Sequence, residues 1–208
     1  MRTNHLFKIL AVLVLCPALA ARGATPVLDQ SQINFSSSAY ANESYTTAQT
    51  FTPGIGGTFA QLDLFLGRAD AGDASPLVIS IADTSGGVPN HILGSTTFNG
   101  FGSYWNWYSI NLSSLNITLN AGSLYAIELS CPGSFSGVDL GGDVYGPDYP
   151  RGMTLVEDPT GDGGWQVFPR APELTFQTWM VVPEPSAMVL ITAGFLCLAL
   201  MRCVGKRI

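Results

Sequence analysis

Between Arg22 and Val181 the chain has no lysine and only four arginines, Arg22, Arg68, Arg151 and Arg170. Fourteen aspartates and glutamates fall in the same span and leave it with a net charge of about −10. Phosphate binding needs clustered cations, so this balance disfavours nucleic acid and anionic lipid as partners. Divalent cations or neutral glycans suit it better, and plain solubility is the alternative. Cysteine is equally scarce. Cys16, Cys197 and Cys203 lie near the two ends, so Cys131 stands alone in the middle and no disulfide can form there. Histidine is limited to His5 and His91. A catalytic thiol wants a histidine beside it and zinc wants several ligands, so neither chemistry finds support. Long apolar runs are missing except at the two ends.

At the amino end, Arg2 and Lys8 precede the apolar residues 9–15, and Ala18, Leu19 and Ala20 supply small groups at a cleavage site. That order predicts a secretory signal peptide over residues 1–20. Leu15 stands where a lipoprotein signal would want a small residue before Cys16, which argues against lipidation.

At the carboxyl end, Val182, Pro183, Glu184, Pro185 and Ser186 lead into an uncharged run over 187–201, and then into the basic residues Arg202, Lys206 and Arg207. The two prolines fix φ and lack amide donors, so they break any element entering the run. A helix over the run would be about 22 Å long, against roughly 30 Å of bilayer hydrocarbon. Snorkelling of Arg202 and local thinning would close that gap, and cations after the run predict a cytoplasmic carboxyl end.

This order over residues 182–208 resembles the PEP-CTERM sorting signal of Gram-negative bacteria. The resemblance implies recognition and cleavage by an exosortase, transient membrane anchoring through the 187–201 helix, and a final place at the cell surface or in an exopolysaccharide-rich biofilm matrix. It is an address. The same tail is found on some ice-binding proteins, so it does not choose among activities.

The exported part, residues 24–181, is long enough for one domain with a real core. Leu62, Leu64 and Leu66 alternate with Gln61, Asp63 and Phe65. Leu77, Ile79 and Ile81 alternate with Val78 and Ser80, and Leu174, Phe176, Thr178 and Met180 alternate with Thr175, Gln177 and Trp179. Turn residues such as Ser85-Gly86-Gly87 and Asn120-Ala121-Gly122 separate these segments, and nothing shows a helical period. An all-β, antiparallel β-sandwich of about nine to eleven strands is expected. Residues 48–52, 59–66, 85–89 and 119–125 are similar to "choice-of-anchor" bacterial surface domains. That resemblance implies a jelly-roll-like sandwich and brings no catalytic residues.

Two clusters could carry a function. On a strand, Trp105 and Trp107 would share one face, and Tyr104, Asn106 and Tyr108 the other. Flat rings suit the CH faces of sugars, with Asn106 as a hydrogen-bond partner; filling the sandwich core and edge is the alternative. Asp139, Asp143, Asp148, Asp158 and Asp162 lie among glycines and prolines, as loops wrapping a structural calcium would. Their spacing matches no EF-hand, and a solvated loop pair is the alternative. The segment 133–137 has Phe135 where a nucleophile elbow needs serine. No catalytic residue emerges, and interaction rather than turnover is expected.

Overall fold

The computed structural model describes residues 25–68, 70, 75–145, 149–157, 164–167 and 172–182. The signal segment 1–20, the motif residues Pro183, Glu184, Pro185 and Ser186, the 187–201 run and the basic tail lie outside the described residues. So do Asp148, Asp158 and Asp162.

The described strands form two antiparallel sheets. The first has eight strands: β1 (Val27–Gln32), β2 (Ser37–Ala41), β4 (Gly57–Gly67), β7 (Asn106–Asn111), β8 (Thr118–Leu119), β10 (Val138–Asp143), β13 (Glu173–Leu174) and β14 (Phe176–Val181). The second has six, in the order β12 (Trp165–Val167), β11 (Thr154–Glu157), β3 (Thr46–Phe51), β9 (Tyr125–Ser130), β5 (Leu77–Ser85) and β6 (Val88–Phe98). Fourteen strands exceed the nine to eleven expected. Two-residue strands such as β8 and β13 are too short to leave an alternating pattern in the sequence.

Long-range pairing organises the first sheet. β4 is its centre, flanked by β14 and β10 on one side and by β8 and β7 on the other. The alternation in β4 has a direct cause. Leu62, Leu64 and Leu66 point inward and are buried, while Gln61 and Phe65 point outward and are partly exposed. Facing them from the second sheet, Ile79, Ile81, Ile127 and Leu129 are fully buried. Phe51 sits among Phe59, Tyr125 and Phe176, with ring centroids 5.8, 6.3 and 6.4 Å away. At roughly 1.5–3 kcal/mol per buried large side chain, this shared layer is the main stabilising term. Residues Pro26–Val182 form one compact unit around it.

Two local devices fix the connections. Gly86 and Gly87, at φ 63° and 87°, close the β5–β6 hairpin, where side chains would be strained. Gln49 of β3 ties the sheets together. Its Oε1 accepts from Thr154 Oγ1 and from the amide of Leu174, both at 2.8 Å, and its Nε2 donates to Glu173 Oε2 at 2.8 Å. A buried amide is tolerated only when paired in this way.

Candidate functional site

The outward side chains of the eight-stranded sheet form successive rows across the strands. In one row Trp107 of β7 pairs with Phe65 of β4. In the next, Ser109, Asp63, Gln177 and Ser31 run across β7, β4, β14 and β1. Beyond it, Asn111, Gln61, Trp179 and Leu28 cross the same four strands. On the other side of the Trp107 row, Asp139 of β10 pairs with Gly67 and with Tyr40.

Glycine seats two of the aromatic rings. A Cβ on Gly67 would meet the Trp105 indole at 3.1 Å, and one on Gly141 would meet Phe65 Cδ1 at 2.7 Å. Both rings therefore lie down on bare backbone, a covering that stabilises strand glycines. Trp105 stacks on Phe65, centroids 5.5 Å apart and planes 20° apart. Phe35 and Trp107 complete the group, with centroids 5.0 and 5.6 Å from Phe65. The indoles remain over one-third exposed, Trp105 at 37% and Trp107 at 38%.

The five aromatic-cluster residues therefore separate. Trp105 and Trp107 share the outer platform. Tyr108 turns inward to pack on Phe98 and Phe101, and its hydroxyl accepts from the amide of Gly102 at 3.0 Å. Tyr104 lies before the strand, which begins at Asn106, and is 87% exposed. Asn106 turns its Oδ1 to the amide of Trp107 at 2.9 Å, an edge contact beside the platform. Phe35, Phe65 and Trp179 were not singled out by the sequence. Their signal was an aromatic at an outward position of an alternating strand or, for Phe35, in a loop.

Asp139 points outward at the platform's rim, and burial pushes its carboxyl above the ordinary range. Asp143 ends β10. Its Oδ1 accepts from Ser36 Oγ and from the amide of Tyr145, so it works as a loop anchor. Among the described residues no group of three or more His, Cys, Asp or Glu side chains could hold a metal ion. His91 lies on β6, where it meets Asp83 with Nδ1 at 3.5 Å from Oδ1. Ser134 is buried, and its Oγ accepts from the amide of Gly137 at 2.7 Å, closing the 133–137 turn. Cys131 is buried beside the carbonyl of Pro76, with Sγ 3.3 Å from it.

No helix among the described residues is long and apolar enough to cross a membrane. No protein-family model matches this chain, and no curated protein matches it.

Proposed function

We propose that this is an exported, PEP-CTERM-sorted protein of the cell surface or biofilm matrix, with a jelly-roll-like sandwich that binds neutral exopolysaccharide through the Trp105–Trp107 platform. The signal peptide would direct it across the inner membrane. The 187–201 helix would hold it there until an exosortase acts at the 182–186 motif. The observation that carries the binding reading is a pair of partly exposed indoles on one face, Trp105 laid over Gly67 and stacked on Phe65, and Trp107 tilted against the same Phe65 ring, with Phe35 beside them. Rings held in place in advance lose little entropy when a sugar face stacks on them.

Two features support binding without turnover. Asp63 and Asp139 flank the Trp107 row, and Asp139 pairs with Gly67, four residues along β4 from Asp63. That spacing is about 13 Å, wider than the roughly 5–9.5 Å of glycosidase carboxylate pairs. Both of Asp63's oxygens are also engaged, by Gln61 and Trp179. The test is binding of the producer's own exopolysaccharide by Trp105→Ala and Trp107→Ala variants. An intact mass of the exported form that lacks the residues after the 182–186 motif tests the sorting.

A second reading is a structural surface protein that self-associates and binds no glycan. It draws on β6, an eleven-residue edge strand with Ile92 and Leu93 exposed. Sedimentation showing oligomers, lost when a proline replaces Thr97, would favour it.

A further inference from the structure

We infer that the outer face of the eight-stranded sheet is a track for one linear, neutral, equatorially linked β-glycan, running from Trp107 to Trp179 over the polar row at Asp63. This inference rests on the platform reading above and extends it to the shape and charge of the ligand. The rows on that face alternate in character: aromatic at Trp107 and Phe65, polar at Ser109, Asp63, Gln177 and Ser31, then aromatic again at Trp179. Two row steps, with one row between, set the indoles about 13 Å apart along the strands, and two strand spacings add about 10 Å across them. A single stacked sugar needs only the platform. A second indole on the same face, with hydrogen-bonding side chains between, fits a chain of sugars.

Trp179 is also held in a particular pose. Its register partner on β4 is Gln61, yet its Nε1 donates to Asp63 Oδ2 at 2.6 Å, one row nearer the platform. The indole therefore reaches along the sheet toward Trp107. Gln61 Nε2 donates to the other oxygen of Asp63 at 2.8 Å, which fixes the carboxylate that fixes the ring. Asp63 is a positioning residue in this scheme. Gln177 and Ser109 supply amide and hydroxyl groups to the middle of the chain.

The ligand class follows from shape and charge. An equatorially linked β-glycan is a flat ribbon with axial C–H bonds on its faces and hydroxyls along its edges. Its faces match the two indoles and its edges match the polar row. The rows carry the carboxylates of Asp63 and Asp139 and no lysine or arginine, so a uronate polymer would meet like charge.

The test is calorimetric titration of the full chain, in a sugar-free detergent, with cellobiose through cellohexaose and with oligogalacturonate. Affinity is expected to rise at least tenfold from cellobiose to cellohexaose. Trp179→Ala should cut cellohexaose affinity about tenfold and leave cellobiose affinity unchanged. Gln177→Ala, an outward change with little bearing on folding, should cut cellohexaose affinity about threefold, again without touching cellobiose. Flat affinity across the series, no cellohexaose binding, or tight oligogalacturonate binding would overturn the track. The platform reading would survive any of these if exopolysaccharide binding still fell in Trp107→Ala, and would fail separately if it did not.

Discussion

The indole of Trp105 lies over Gly67 and stacks on Phe65, whose own ring covers Gly141. Two glycines on neighbouring strands thus set the height and tilt of two rings. The platform is a property of backbone left bare as much as of the aromatic side chains.

Gly141→Ala should disturb it. The added methyl would meet Phe65 Cδ1 at 2.7 Å and the Phe65 carbonyl oxygen at 2.9 Å, and backbone cannot swing aside as a side-chain tip can. A stability loss of about 1–3 kcal/mol is expected in chemical denaturation, with weaker binding of exopolysaccharide. Unchanged stability and binding would mean that the rings are not seated on the backbone as described.

Gln49→Glu tests the polar bridge between the sheets. The new carboxylate would lose the donor that serves Glu173 and face that carboxylate instead. A loss of about 2–3 kcal/mol is expected at neutral pH, partly recovered as acid protonates the pair. Thermal melts across pH check this, and a melting temperature equal to wild type at neutral pH would refute the bridge's importance.

Glu128 gives the pH dependence of the fold. Burial pushes its carboxyl above the ordinary range, and Glu157, on the far side of β3, adds to the shift. The folded chain then holds this proton more tightly than the unfolded chain does. Its contribution is fully favourable below the ordinary glutamate range and falls as pH rises through the raised value. Glu128→Gln should therefore raise Tm at neutral pH and leave it unchanged well below the carboxylate range. An equal gain at both would assign the effect to packing.

Much of the fold was legible because period-2 alternation reports directly on burial. The inward set Leu62, Leu64 and Leu66 and the inward set Leu77, Ile79 and Ile81 are both in the core, as read. The site was legible only in part. Residues two apart on a strand share a face by geometry, so Trp105 and Trp107 could be paired from the sequence, although Trp105 lies just before the strand that begins at Asn106. Phe35, Gly67 and Gly141 reach the same patch through pairing of distant strands, and local pattern carries no record of that register. Tyr104 was misplaced for the same reason: the strand start at Asn106 is fixed by pairing with Leu66.

The most direct measurement is calorimetric titration of the full chain with the producer's own exopolysaccharide, with and without calcium, comparing wild type with Trp105→Ala and Trp107→Ala. Saturable binding should weaken about tenfold or more in each variant while circular dichroism still shows the folded sheet at the titration temperature. A dependence on calcium would bring Asp139 and the acidic loops beyond it into the site. No saturable binding, or equal affinity in all three proteins, would contradict the aromatic platform as the binding surface.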